Sequence, residues 1–549
     1  MNKRWPQFLV GLLLLGAATA PAMADELEEL RSLRDTTIEL LNQLVKQGVL
    51  TREKADELIR AAQAAGNKSG NAPTGPAGPA VAGTANTPAA PAGATPAPVE
   101  PGVVRVPYVP ESVKQEIRDE VKQEVLTQAR NERWGEPGAL PRWLDRFTFF
   151  GDVRFRFQED RFPSDNVPNA PPEVLQQPAF GAYNANNTSE TRNRLRLRVR
   201  FGAEAKVADT VTAAIRLTTG SVGNGGDPST ENQNLGNYNT RSTVGFDLAY
   251  VSWKPVSWAY FTGGRVGNPF YAPTTLVWGD DLSLEGAVAG LTPHITNSFG
   301  TFLTMGAFPI QDVEPTPLTS AHSKWLWAGQ AGFKWDITRA VSWKLAAALY
   351  DYRNIEGKLN PTQVSTIYDL TAAPFRQKGN SVFDIDEFAN VANGAQNYRI
   401  GLASKFHEAN ASTTFDVAAF AGKHLIIDGD YVKNLGFNRA DILARTQLDL
   451  PEQTTGWQAR LTFGDPTFVR RNSWNAYVGF RHVESDAVVD AFTDADFRLG
   501  GTDATGYYMG ARYAFEPNST IGVRWWSAKQ IDGLPLAIDV LQVDLIAAF

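Results

Sequence analysis

Apolar and polar side chains alternate along residues 146–549 of this chain. In the segment RFTFFGDVRFRFQ, Phe149, Val153 and Phe155 fall on one face, and the charged residues fall on the other. A period of two is typical of β-strands that have one apolar face. About sixteen such segments follow one another, each with roughly the nine to eleven residues that a tilted strand needs to cross a bilayer. The pattern therefore predicts an all-β fold over this region.

The connections between these segments alternate in length. Turns such as Val207–Asp209 and Glu516–Asn518 alternate with long polar connections such as 353–396, which we expect to lead into a tenth strand at 397–407 and an eleventh at 413–423. Short turns at one rim and long loops at the other are typical of transmembrane barrels, whereas a soluble β-sandwich has no reason to sort its loops in this way. We therefore predict an all-β transmembrane barrel of about sixteen antiparallel strands, with both ends at the short-turn rim.

Composition excludes several other classes of protein. After residue 24, no apolar run approaches the roughly 20 residues of a membrane-spanning helix. The formal net charge of −7 gives no basic surface for nucleic acid, and the absence of Cys excludes disulfides. The chain has no G-x-S-x-G, H-E-x-x-H or P-loop motif, Asp428-Gly429-Asp430 lacks the other ligands of a calcium loop, and the five His are scattered. We expect neither an enzyme nor a cofactor or metal site.

The region before the barrel divides into four segments. Residues 1–24 have a basic start, a short apolar core and a small-residue cleavage site, which together predict a signal peptide. Residues 25–65 have the apolar spacing of a helical hairpin or a short coiled coil, and residues 111–135 form a charged pre-barrel helix. Between them, residues 66–110 are a Pro/Ala/Gly-rich segment with the composition of a disordered linker. We expect this α-helical extension to lie in the periplasm, because short barrel turns face that side.

Arginines decide which face of the strands meets water. The segment RNRLRLRVRF alternates Arg with apolar residues. An Arg on the lipid face costs roughly 2 to 4 kcal/mol at the bilayer midplane, so these residues must point into the lumen. Arg residues of the first strand extend the same surface. The predicted basic wall consists of Arg154, Arg156, Arg194, Arg196, Arg198 and Arg200.

The last strand, VLQVDLIAAF, has a regular apolar face that ends on an aromatic residue. This pattern resembles the C-terminal assembly signal of outer-membrane proteins, which the barrel-assembly machinery reads. The residues on that face are Leu541, Val543, Leu545, Ala547 and Phe549.

A helical N-terminus, a Pro/Ala linker, a pre-barrel helix and a barrel ending in GTDATGYYMGARYAF and IGVRWWSAKQIDGLPLAIDVLQVDLIAAF together resemble the putative-porin family of Gram-negative bacteria. The likeness to trimeric, sixteen-stranded general porins is more distant. The resemblance covers nearly the whole chain after the signal peptide. It implies a homotrimer in outer-membrane lipid that passes small hydrophilic solutes and ions, and it supplies no particular solute.

General porins are similar in folding their third loop into the barrel. The third long connection here, GNPFYAPTTLVWGDD, contains Asp280 and Asp281, which are candidate constriction-loop acids. Facing the basic wall, they would create a transverse field across the channel. Alternatively, the arginines pair across strands with wall acids such as Asp247, Glu285 or Asp416.

Three functions remain open at this stage. The first is a porin for passive diffusion. The second is a solute-specific channel for sugars or for an anion such as phosphate, which an arginine-rich lumen would suit. The third is an envelope tether, in which the barrel anchors N-terminal helices that contact peptidoglycan. Saturable, solute-blocked conductance would distinguish the second from the first.

Overall fold

The computed structural model describes residues 122–123, 144–167, 187–223, 226–362, 365–386 and 399–549. The predicted signal peptide (1–24), helical hairpin or coiled coil (25–65) and linker (66–110) lie outside the described residues, and so does nearly all of the predicted pre-barrel helix (111–135).

Twenty β-strands lie in the described part of the chain. In chain order they are β1 (Phe147–Arg161), β2 (Arg192–Ala208), β3 (Val211–Thr219), β4 (Gln233–Asn234), β5 (Val244–Val256), β6 (Ala259–Gly267), β7 (Ser283–Leu291), β8 (His294–Thr296), β9 (Phe299–Gln311), β10 (Lys324–Thr338), β11 (Val341–Arg353), β12 (Val382–Asp384), β13 (Ile400–Leu402), β14 (His407–Phe420), β15 (Lys423–Asn434), β16 (Thr455–Gly464), β17 (Trp474–Val483), β18 (Ala504–Glu516), β19 (Ser519–Gln530) and β20 (Ala537–Ala548).

Sixteen of these strands form a closed antiparallel barrel. Each barrel strand pairs with the next one along the chain, and β20 pairs with β1, with Leu545 opposite Phe155. The short strands β4 and β8 add to the same sheet, whereas β12 and β13 form a separate two-stranded sheet. The predicted fold of about sixteen antiparallel strands is confirmed for the barrel.

Alternation along each strand separates an apolar outer face from a polar inner face. Phe155 is 42% exposed on the outside of β1, while the next residue, Arg156, is fully buried inside the barrel. On β2, Leu195 is exposed and Arg196 is buried in the same way. Apolar side chains that are exposed on the outside of such a barrel are the ones that contact lipid.

Long loops lie at one rim and mostly short turns at the other. The short turns include 209–210, 339–340 and 517–518, and the nine-residue connection 465–473 is the longest at that rim. The long loops are L1 (162–191), L2 (220–243), L3 (268–282), L4 (312–323), L5 (354–406), L6 (435–454), L7 (484–503) and L8 (531–536).

The positions predicted for the tenth and eleventh barrel strands are wrong. Residues 397–407 contain β13, which is not a barrel strand. It pairs with β12 in the small sheet inside L5, where Leu402 is buried. The barrel strands at these places are β14 and β15, joined by a tight turn at Ala421 and Gly422, which both have positive φ. Sequence reasoning missed β15 because it contains the acidic segment Asp428-Gly429-Asp430, which looks like part of a polar loop. In the structure, both carboxylates belong to the strand and face the lumen.

Helical structure is sparse in the described part of the chain. Helix α1 (Arg439–Thr446) lies in L6, and the Asn438 side chain caps it by accepting a hydrogen bond from Asp441 N. Single 3-10 turns occur at Leu144–Arg146, Asp369–Thr371, Asp490–Phe492 and Phe497–Leu499.

Among the residues that the structure describes, no helix has the length and apolar character needed to cross a membrane.

Candidate solute pathway through the lumen

L3 folds into the barrel and is attached to opposite sides of its wall. On one side, Arg198 Nη1 of β2 donates a hydrogen bond to Asp281 Oδ1 at 2.8 Å. On the other side, Thr274 Oγ1 donates to Asp430 Oδ2 of β15 at 2.7 Å. The loop therefore crosses the lumen instead of covering its mouth.

Apolar packing holds the middle of L3 against the wall formed by β7 to β11. Leu276 and Trp278 are buried, and the Trp278 ring meets the Tyr350 ring edge-on, with 5.0 Å between the ring centres. The Phe270 ring meets the same tyrosine at 5.3 Å. These side chains fill the lumen beside the middle of L3, while a separate cavity of about 580 Å³ lies nearer the long-loop rim on the same side.

L7 also enters the lumen and joins L3 there. Gly279 N donates to Phe492 O at 2.8 Å, and Thr493 Oγ1 donates to Leu276 O at 2.7 Å. A Cβ at Gly279 would lie 3.1 Å from the backbone oxygen of Thr493, so the approach of the two loops favours glycine at this position. L3 and L7 together form one inserted layer.

Asp496 attaches L7 to the strands on the opposite side. Its carboxylate accepts a hydrogen bond from Gln542 Nε2 at 2.9 Å and lies 3.4 Å from Arg156 Nη1 and 3.6 Å from Arg524 Nη2. Burial alone would raise the pKa of this carboxyl, but the two guanidinium groups hold it well below its usual range. Asp496 therefore stays ionised and holds L7 in place.

Three successive cavities mark the open part of the lumen. The outer vestibule, at the long-loop side, has a volume of about 510 Å³, and the inner vestibule, at the short-turn side, has about 610 Å³. Between them lies the narrow chamber, of about 80 Å³. Thr230 and Ala495 line both the outer vestibule and the chamber, whereas Asp280, Arg460 and Arg524 line both the chamber and the inner vestibule. The chamber has the smallest volume of the three.

Acids from the loops and arginines from the strands line the narrow chamber. Asp280 of L3 is exposed to the lumen and forms no hydrogen bond or ion pair with any described residue. Arg460 donates to Asp428 Oδ2 through Nε and Nη2 at 3.0 and 2.7 Å, which leaves its Nη1 without a partner among the described residues. Arg524 points into the same chamber. A polar solute would meet both signs of charge here.

The structure places all six residues of the predicted basic wall on the inner side of the barrel, and it ties most of them to acids. Asp281 contacts Arg198 and also lies 3.6 Å from Arg154 Nη2. The two predicted constriction-loop acids therefore contact different parts of the lumen. Asp281 binds the basic wall, and Asp280 faces Arg460 of β16 and Arg524 of β19. The other partners are Asp544 for Arg156, Asp160 for Arg194, Gln158 for Arg196, and Asp152 for Arg198 and Arg200.

Pairing with wall acids also occurs, but not with the three acids named from the sequence. Those acids have other partners: Asp247 pairs with Arg216, Glu285 with Arg265, and Asp416 with His424. Strand register decides the pairs within the wall, such as Arg200 with Asp152, whereas the path of L3 brings Asp281 to Arg198.

Sequence reasoning missed several lumen arginines and the acids of L7. The missed arginines are Arg460, Arg481, Arg512 and Arg524. The high free-energy cost of an Arg on the lipid face holds for every barrel strand, so the same rule predicts that these arginines face the lumen. For Asp494 and Asp496 no such signal exists, since an acidic loop sequence looks the same whether the loop is outside or inside a barrel.

The predicted assembly residues lie along β20. Leu545 and Phe549 are exposed on the outer face, and Phe549 exchanges two backbone hydrogen bonds of 3.0 Å with Gly151 of β1. The list predicted for this role, Leu541, Val543, Leu545, Ala547 and Phe549, thus includes a residue that helps to close the barrel. Its recognition during assembly stays a prediction.

The packing of L7 on L5 is expected to weaken as the pH rises. Ser381 N of L5 donates to the buried carboxylate of Asp486 at 2.9 Å, and burial raises the pKa of Asp486 to about 7, with further repulsion from Asp490 and Asp503. Because the unfolded value is near 3.9, the packed loop holds the proton more tightly. Its stability is greatest below about pH 4 and decreases as the pH rises to about 7.

Hydrogen exchange of the L7 amides, corrected for intrinsic rates, measures this effect. We expect protection to fall between about pH 4 and pH 7 and Asp486→Asn to remove most of the change. Asp449→Asn, at an exposed carboxylate of L6, is the control. An unchanged pH dependence in Asp486→Asn would contradict the assignment.

Comparison with known proteins assigns the family. The family described as "Putative porin" matches residues 34–549. No curated protein matches the chain. The chain is similar to the solved structures of OprB from Pseudomonas putida and of the outer membrane channel DcaP from Acinetobacter baumannii. For OprB the identity is 11% and the TM-score 0.42, over 74% of this chain and 95% of that one; for DcaP the values are 10% and 0.39, over 73% and 97%. On the family match, which covers nearly all of its length, the chain belongs to the putative-porin family and forms a porin channel of the outer membrane.

Proposed function

We propose that this porin lets small hydrophilic solutes and ions diffuse passively through the outer vestibule, the narrow chamber and the inner vestibule in turn. The observation that supports this route is the chamber itself, where charged groups of both signs line the smallest of the three cavities. In this role the protein acts as a channel and not as an enzyme, because passive diffusion involves no chemical step.

Size and charge would select solutes together. One water molecule needs a cavity volume of roughly 10 to 15 Å³, counted as the space open to the molecule's centre. A chamber of about 80 Å³ therefore holds only a few water molecules. Asp280 on one side and Arg460 and Arg524 on another give a field across the path. Such a field orients polar solutes and gives a counter-charge to ions of either sign.

Neutralising Asp280 is expected to shift ion selectivity toward anions. Its carboxylate faces the lumen without a partner among the described residues, so its charge acts on passing ions. In planar bilayers under a salt gradient, the reversal potential of Asp280→Asn should move toward the anion equilibrium potential. The double variant Arg196→Ser/Arg198→Ser should move it the opposite way, toward cations.

Asp449→Asn is the matched control, because this carboxylate lies on the surface of L6, paired with Arg439. Its reversal potential should equal that of the wild type. If Asp280→Asn and the double arginine variant leave the reversal potential unchanged, the transverse field in the chamber is refuted. Bilayers that never conduct with the purified protein would refute the passive route as a whole.

The remaining expectations concern the whole chain. We propose that residues 1–24 are removed as a signal peptide, that the barrel-assembly machinery inserts the barrel, and that three copies associate. The helical region 25–65 would then lie in the periplasm and help the copies associate or contact peptidoglycan. Support comes from the sequence pattern and from a barrel that starts and ends at the short-turn rim. Native mass spectrometry of the detergent-extracted protein tests the stoichiometry, and a monomer would contradict it.

A further inference from the structure

The outer vestibule contains more basic than acidic side chains. Its acids are Asp160 and Asp227. Its basic residues come from β2 and L5 and are Arg192, Arg194, Arg196, Arg376 and Lys378. Only one of these five, Arg194, forms an ion pair with a described acid, namely Asp160 at 2.6 Å. Basic groups therefore outnumber acidic groups on the wall of a cavity of about 510 Å³.

Arg376 is the most unusual member of this group. Its side chain is only 7% exposed, yet it forms no hydrogen bond or ion pair with any described residue, and its Nη1 is fully buried without a partner. Asp490 is the acid that acts on it electrostatically, but it lies beyond ion-pair distance. A buried guanidinium without a partner is costly, so this position favours an anion from outside the chain.

Two neighbouring basic groups on the wall of the same cavity form no ion pair with a described acid. The Nε atom of Arg196 is buried without a partner, and its Nη1 binds the neutral Gln158 at 3.1 Å. Lys378 Nζ donates only to the backbone oxygen of Leu499, at 2.8 Å. Burial lowers the pKa of both Arg376 and Lys378, and a bound anion would counteract that effect.

The rest of the cavity wall includes an apolar group. Its members come from L1, L5, L7, L8 and β20 and are Phe162, Phe375, Leu499, Leu536 and Ile538. An inorganic anion gains no binding free energy from such a surface, because the hydrophobic effect needs apolar area on the ligand as well as on the protein. A volume of about 510 Å³ lies within the range of small-molecule sites.

We propose that the outer vestibule is a binding site for small organic carboxylates with an apolar body, which are held there before they enter the narrow chamber. The carboxylate binds Arg376 and Arg196, and the apolar body lies against Phe375 and the residues around it. This inference rests on the proposed channel function and specifies its solute class. The guanidinium group suits a carboxylate because it offers two parallel N–H donors.

Benzoate, inorganic phosphate and benzyl alcohol are probes that separate the charge from the apolar body. With the full-length protein in planar bilayers, benzoate should interrupt the salt current in a saturable way. Inorganic phosphate should do so at clearly higher concentration, and benzyl alcohol should have no saturable effect. Equal potency of phosphate and benzoate would overturn the role of the apolar wall, and equal potency of benzyl alcohol would overturn the role of the charge.

Arg376→Gln should raise the half-blocking concentration of benzoate by at least about tenfold, whereas Arg376→Lys should have a smaller effect. Arg439→Gln removes the same charge from an exposed position in L6 and should leave the block unchanged. An Arg376→Gln channel that benzoate blocks as well as the wild type would overturn the proposal.

Titration calorimetry of benzoate with the detergent-extracted protein separates this inference from the proposed function. Binding that Arg376→Gln weakens, in a protein that conducts no salt, would support the site and refute the channel route. Normal salt conductance without benzoate binding or block would refute the site alone.

Discussion

Single-channel conductance should rise several-fold when the part of L7 that lies in the lumen is removed. Residues 490–499 include both 3-10 turns of L7 and supply Asp494, Ala495 and Asp496 to the lining of the narrow chamber. Replacing this segment with a short Gly-Ser linker would join the outer vestibule to the chamber. Because the narrowest section dominates the resistance of a pore, planar bilayers in concentrated KCl should show the increase directly.

The barrel should tolerate this deletion better than a substitution at Asp496 alone. A point change such as Asp496→Leu leaves L7 in place and removes one partner of a buried ion pair, which typically costs about 3–5 kcal/mol. Arg156 and Arg524 keep Asp544, at 2.6 and 3.1 Å, in either variant, but only the deletion lets water reach the side of the two guanidinium groups that Asp496 leaves. Unheated gel mobility would verify that the deleted protein still forms a folded barrel.

Helix α1 in L6 provides the control for the deletion. Residues 439–446 line none of the three lumen cavities, so replacing them with the same kind of linker should leave conductance unchanged. If the L7 deletion conducts like the wild type, L7 does not lie at the constriction. If both deletions raise conductance equally, loop loss in general would explain the effect.

The barrel could be predicted because each strand meets the same local requirement. A residue on the outer face must suit lipid and its neighbour must suit water, so strands such as β1 and β2 show their orientation without knowledge of their partners. The prediction failed where polar residues hid this signal. β15 has Asp428 and Asp430 on its inner face, so its sequence looks polar. The nearby segment 397–407 alternates more regularly, but in the structure it contributes β13 to the small sheet of L5.

The site was only partly predictable, because the loops decide it. The basic wall could be predicted because an Arg on the lipid face is unfavourable in free energy, and this rule applies to the sequence directly. Asp280 and Asp281 are adjacent in sequence, yet one faces the chamber and the other binds Arg198, a difference that the path of L3 sets. Arg376 lies in an irregular loop without periodicity, so nothing in the sequence indicated that its side chain would be buried without a partner.

Replacing the C-terminal Phe549 with Ala is expected to remove most of the folded protein from the outer membrane and to cost little stability in detergent. The ring is 62% exposed, so its loss should cost only about 1 kcal/mol of the free energy of unfolding. The backbone pairing with Gly151 persists in the variant, because it does not involve the side chain. A large loss in cells would therefore reflect recognition of the ring during assembly.

Phe201→Ala separates recognition from packing. The Phe201 ring lies 6.3 Å from the Phe549 ring, on the same outer face, and is 48% exposed, so the two variants lose similar apolar contacts. Refolding into micelles should give similar stabilities for both, whereas outer-membrane fractions should show a strong loss only for Phe549→Ala. Equal loss of the two variants in cells would mean that the ring acts through packing at the β1–β20 closure. In that case, the apolar face of the last strand would be explained by lipid contact alone.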